Sequence, residues 1–147
     1  MLSPSRSEPL DLVVVGGLTV DRFVDGSSAP GGSVLHATRA AAGRGLQIGV
    51  VTSAGPELDA QTGLAELRRI AAGLEVAAHA ATSTFRHRDS PAGRRLWLER
   101  RGGPIGLAAD AADRMPTRAI LFAPVADEVD VAALNVWNEQ EVRGAIL

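Results

Sequence analysis

The stretch APGGSVLHATRAAAGRG, residues 29–45, holds the residues of this chain best placed to do chemistry. Gly31 and Gly32 stand directly before an alanine-rich run of helical character. The first backbone N–H groups of a helix have no intrahelical partner. A glycine pair at that point lets a polar ligand reach them. The same two residues also make an ordinary strand-to-helix turn, since glycine adopts backbone conformations closed to other residues. From the pair alone both readings stand, and the turn is the commoner.

Other chemistry-bearing residues are scattered. His36, His79 and His87 have no metal-ligand spacing with one another or with an acid pair. His79 lies in an apolar run and reads as a satisfied core or edge residue, while His87 alternates with Arg86 and Arg88 and so lies on the opposite face of its strand. Arg86, Arg88, Arg94, Arg95, Arg100 and Arg101 form the one local basic patch. Phe85 and Trp97 are its only aromatic residues, which fits a solvated hairpin face better than a nucleic-acid surface. Asp127 and Glu128 are adjacent on a loop, where neighbouring side chains diverge, and read as solvated charge.

Composition excludes several classes. All 15 basic residues are arginine, so a lysine-containing phosphate loop and a Schiff-base lysine are both ruled out. There is no cysteine, which removes disulfide and thiolate chemistry. GGLTVD after the first apolar run lacks the spaced glycines of a dinucleotide-binding turn. A net charge of −2 gives no electrostatic reason to expect nucleic acid. No run approaches the roughly 20 apolar residues of a membrane span, and the polar N-terminus is no secretory signal. Length and an apolar content of 46% fit one globular domain, with a cytoplasmic setting expected.

The elements that must position these residues follow from the hydrophobic pattern. Residues 1–10 read as a disordered tail. DLVVVGG, residues 11–17, reads as a buried central strand and LTVDRFVDG as a more exposed one. Ser33 stands as an N-cap for a helix over Val34 to Ala42, with Val34, Ala37 and Ala41 on its apolar face and Gly43 and Gly45 as its stop. Residues 46–55 read as a second buried strand, 61–73 as an amphipathic helix, and 74–80 as a candidate third strand. Residues 82–100 read as a hairpin turning at Asp89 to Gly93, and Ala119 to Ala123 as another buried strand. Asp130 reads as a helix cap. Val142 to Leu147 reads as the start of a further strand, so the chain is expected to be truncated. Strands alternating with helices predict a parallel α/β sheet.

Taken in order, VVVGGLTVDRFVDG, APGGSVLHATRAAAGRGLQIGVVTSAG, ATSTFRHRDSPAGRR and ILFAPVADEV resemble the N-terminal portion of the ribokinase-like, or PfkB-type, carbohydrate kinases. The resemblance implies a three-layer α/β sandwich with a small β-sheet lid, truncated at the C-terminus. Residues 11–147 would be a partial kinase domain with lid strands at about 17–30 and 82–100. It implies that Asp21 hydrogen-bonds substrate hydroxyls and that Gly31 and Gly32 let backbone and lid close on a sugar. His36 stands where the family usually has a sugar-binding Asn; an imidazole offers its donor and acceptor on opposite ring edges, not on one flat amide.

The implied chemistry is ATP-dependent phosphorylation of a sugar or nucleoside hydroxyl, with ATP and Mg2+ as the family's cofactors. The family's catalytic aspartate and anion hole lie in a C-terminal Gly-rich motif ending in Gly-Asp, which this sequence does not contain. The chain is therefore expected to be inactive alone, with no cofactor of its own and a small sugar or nucleoside as partner. No nucleic-acid or membrane partner is expected; a homodimer through the lid is a possible assembly. The alternative is a non-catalytic sugar-binding or dimerisation module.

Overall fold

The computed structural model describes residues 8–105 and 115–129. The expected cap at Asp130, the helix after it, the strand at the C-terminus and most of the N-terminal tail lie outside the described residues.

Val13, Val14 and Val15 are fully buried, and their alternation sends apolar groups to both sides of strand β1, Leu12–Gly16. That two-sided burial makes β1 a central strand. It pairs in parallel with β4, Ile48–Ala54, on one side and with β8, Ile120–Ala123, on the other. Strand β5, Gly73–Ala78, continues the sheet in parallel, giving the order β5-β4-β1-β8.

Two helices cover one face. Val34 and Leu35 of α1, Ser33–Ala42, and Leu64 and Leu67 of α2, Leu58–Ile70, join Val14, Ile48 and Val50 in a single buried cluster. On the other face Val13, Val15 and Val51 pack with Ile105, Met115 and Ile120. Arg39 clamps Glu66 with two hydrogen bonds of 2.7 Å, tying α1 to α2 at their solvent edge. Leu10, assigned to the tail by its sequence, bridges to Thr117 instead and packs partly against the second cluster.

A second four-stranded sheet stands apart from the first. It consists of β2, Thr19–Arg22; β3, Ser28–Gly31; β6, Ser83–Ser90; and β7, Gly93–Arg100, in the order β3-β2-β6-β7. β2 runs antiparallel to β3 and parallel to β6, and β6 and β7 form the expected hairpin. Pairing runs as far as Ser90 with Gly93, so the turn is Pro91-Ala92 and is tighter than the pattern of turn residues suggested. Pro30 is tolerated in β3 because that strand is an edge, where a missing N–H breaks no internal ladder. The whole is a mixed α/β structure with a small sheet beside a parallel core.

Candidate functional site

The strand order fixes where a ligand can sit. From β1 the chain passes through α1 to β4 on one side, yet β8 lies on the other side of β1. Crevices for ligands open at such switch points, outside the carboxyl ends of the strands. Here the switch point lies between Gly16 at the end of β1 and Ala123 at the end of β8, which are paired.

Backbone packing at this point leaves no space for side chains. A Cβ on Gly16 would strike the Ala123 carbonyl, and one on Gly17 would strike the Glu128 carboxylate. Thr52 on β4 holds the turn from beneath: its hydroxyl donates to Gly16 O at 2.8 Å and accepts from Leu18 N–H at 3.1 Å. Gly32 has φ +97°, a conformation open to glycine, and a Cβ there would meet Gly17 O and the Thr19 nitrogen. The glycine pair thus closes β3 and makes the turn into α1.

Gly32, not Ser33, is the N-cap of α1. The Ser33 hydroxyl donates to the Ala123 carbonyl across the switch point, and no side chain caps the first turn of the helix. This corrects the capping expected for Ser33. A tertiary acceptor drew the hydroxyl away from its own backbone.

Asp21 sits on β2 beside the pair. A Cβ on Gly31 would overlap the Asp21 carboxylate, so a glycine there is what lets the carboxylate lie flat against β3. Thr19 donates its hydroxyl to Asp21 Oδ1 at 2.8 Å. The other oxygen, Oδ2, lies 3.4 Å from Nε2 of His87 on β6. That separation is longer than a hydrogen bond. Nε2 is buried and has no hydrogen-bond partner among the described residues. The Phe23 ring packs on the imidazole with 5.3 Å between centroids. His87 was read only as lying opposite the arginines, which it does; its approach to Asp21 depends on β2 pairing with β6, a contact between segments over sixty residues apart with no local signal.

The structure therefore brings Asp21, Gly31 and Gly32 together and adds His87. His36 is exposed one turn into α1, where its backbone N–H bonds Gly32 O. The Glu66 carboxyl of α2 is held below its ordinary range first by the Arg39 hydrogen bonds, with smaller attractions from Arg69 and His36. No direct contact joins His36 to Asp21 among the described residues. His79 bonds the Pro104 carbonyl through Nε2 at 2.7 Å, a structural role.

Glu128 departs from its reading as solvated charge. It is buried, and its carboxylate accepts the N–H groups of Val125 and Ala126, folding the loop after β8 over Gly17. Asp127 beside it is exposed and pairs with Arg101 at 2.9 Å.

The base of the second sheet is latched to the core. Thr82, just before β6, donates N–H and hydroxyl to the Glu57 carboxylate at the start of α2, and its hydroxyl accepts from Gly55 N–H at 2.7 Å. Burial raises the Glu57 carboxyl, but these bonds and the nearby Arg100 outweigh it and leave the group below its ordinary value. Among the described residues no three His, Asp or Glu side chains converge on a possible metal position. No helix there is long and apolar enough to cross a membrane.

No protein-family model matches the sequence, and no curated protein matches it. Solved structures do match the fold. One is a pyrophosphate-dependent kinase in the ribokinase family, complexed with a pyrophosphate analog and myo-inositol: TM-score 0.67, 17% identity, covering 89% of this chain and 46% of that one. A putative ribokinase II from E. coli matches with TM-score 0.69 at 11% identity over 93% of this chain and 52% of that one. A probable sugar kinase from Rhizobium etli CFN 42 gives TM-score 0.66 at 13% identity, covering 93% and 55%. The chain spans about half the length of the solved structures it matches, and its fold is that of the N-terminal portion of the ribokinase-like sugar kinases.

Proposed function

We propose that this chain is the sugar-binding part of a ribokinase-type kinase, and that Asp21 and His87 together receive vicinal hydroxyls of a sugar, cyclitol or nucleoside. The observation that carries this reading is the buried, unpartnered Nε2 of His87 facing Asp21 Oδ2 at 3.4 Å. An unsatisfied buried polar atom costs about 1–3 kcal/mol. A vicinal pair of ligand hydroxyls set against the two groups would bond both, one donating to the carboxylate and the other completing the imidazole.

The remaining parts fit that role. Thr19 fixes one oxygen of Asp21 and leaves the other facing His87. Gly31 and Gly32 allow close approach, and the first turn of α1, free of a side-chain cap, offers backbone donors to a polar ligand. His36, one turn behind, would supply a weaker contact. The group that a bound hydroxyl would attack is a phosphoryl donor, ATP with Mg2+ by the resemblance. The described residues supply no carboxylate set for the metal, so the donor is assigned to no residue of this chain. Phosphoryl transfer depends on such positioning and charge stabilisation, and the chain alone is therefore proposed to bind without turnover. The matched kinase bound to myo-inositol supports a polyol as the ligand class.

The test is a titration of the 15N-labelled chain with myo-inositol, ribose and adenosine. The proposal expects millimolar binding for at least one of them, on the order of −4 kcal/mol, with amide shifts at 19–21, 31–33 and 87. Shifts confined to other residues, or none with any of the three, would overturn it.

A further inference from the structure

Cross-strand partners in a sheet share a face. Asp21, Phe85 and Leu98 therefore lie on one face of the small sheet, and Arg22, Arg86 and Trp97 on the other. On this second, outer face Arg88 stands directly opposite Arg95. Like charges in that position repel. Arg22 and Arg86 share the Glu99 carboxylate, at 3.6 and 2.5 Å. Among the described residues neither Arg88 nor Arg95 has an ion pair or a side-chain hydrogen bond. Asp89, the nearest carboxylate along the hairpin, is already held by Arg94 at 2.9 Å.

Two hollows adjoin the unpaired guanidiniums. One, of about 950 Å³, lies between Trp97 and the turn holding Phe23 and Gly26. The other, of about 240 Å³, lies among Arg88, Ser90, Arg95 and Trp97. Trp97 and Arg88 border both, and Trp97 is 43% exposed.

We propose that this outer face is a second binding site, taking a nucleoside monophosphate. The base stacks on the exposed indole, with the sugar in the larger hollow. The phosphate lies in the smaller hollow and bridges Arg88 and Arg95, relieving their repulsion with charge-assisted hydrogen bonds. A single nucleotide is favoured over a nucleic-acid strand by what the face lacks. A strand needs successive stacking platforms, whereas of the two exposed rings beside the larger hollow, Trp97 and Phe23, Phe23 is packed on the His87 imidazole. The chain's net charge of −2 gives no field to draw in a polyanion. The site is turned away from Asp21 and does not rest on the proposed sugar binding.

The experiment titrates the labelled chain with adenosine 5′-monophosphate, adenosine, inorganic phosphate and a short oligoadenylate, following the indole N–H signal lost in Trp97→Phe. The monophosphate should shift that signal saturably, and adenosine and phosphate should bind more weakly. Arg88→Gln and Arg95→Gln should each weaken the monophosphate about tenfold. For the unaltered chain, added sodium chloride should weaken it too, since the charges are exposed, and this readout needs no variant to fold. Adenosine binding as well as its monophosphate, no saturable shift, salt-independent binding, an unchanged Arg95→Gln, or tighter binding of the oligoadenylate would each overturn the assignment.

Discussion

A side chain at residue 31 would have to occupy the space that the Asp21 carboxylate fills. The glycine is there for its neighbour on β2, not for its own backbone freedom. Gly31→Ala should therefore push the carboxylate out of place, destabilise the fold by about 1–3 kcal/mol, and abolish polyol binding. Thermal unfolding and the titration described above check both effects. An alanine variant that binds as well as the parent would show that the carboxylate position is immaterial.

His87 offers a sharper separation of stability from function. In His87→Phe the packing on Phe23 is kept and the unsatisfied nitrogen is removed. The free protein should unfold at the same or a higher denaturant concentration, by up to about 1–3 kcal/mol, while polyol affinity falls. A loss of stability with unchanged affinity would reduce His87 to a core residue.

The Glu57 latch gives a pH dependence with a definite sign. Its carboxyl lies below the ordinary value when folded, so it adds stability above the unfolded-state value of about 4.5 and loses it as pH falls through the lower folded value. At neutral pH Glu57→Gln should cost about 1–3 kcal/mol, because Thr82 then bonds a neutral group. The gap between parent and variant should close on acidification, as measured by urea unfolding across the acidic range. A gap constant with pH would deny the carboxylate this role.

His36 should matter less than Asp21. It is exposed, and among the described residues no contact joins it to Asp21. His36→Ala is expected to weaken polyol binding only a few-fold, within about 1 kcal/mol, by the same titration. A loss as large as that of an Asp21 variant would move the centre of the site to the first turn of α1.

Much of this arrangement could be read from the residues. Val13 to Val15 announced a central strand through an unbroken apolar run, and residues 46–55 read as a second strand. The alternation of Arg86, His87 and Arg88 placed the histidine on the correct face of its strand. What stayed hidden depends on long-range pairing. Ser33 looked like a cap because its best acceptor, Ala123 O, is ninety residues away. β3 was obscured by Pro30, which only an edge strand tolerates. Glu128 looked solvated beside exposed Asp127, until the loop after β8 folded its carboxylate onto two backbone N–H groups. Asp21 entered through resemblance, and its approach to His87 follows from the parallel pairing of β2 with β6.

The most direct test of the central claim compares the parent with Asp21→Asn, a replacement of the same shape that keeps the fold but turns one carboxylate oxygen into a donor. Polyol affinity is measured by NMR titration for both proteins. A hydroxyl bonded to a charged acceptor loses about 1.5–3 kcal/mol when that charge is removed, so binding should weaken by tenfold or more, with the shifts at 31–33 and 87 fading together. Equal affinity in the two proteins, with the same residues shifted, would contradict the assignment of Asp21 as the group that holds the sugar.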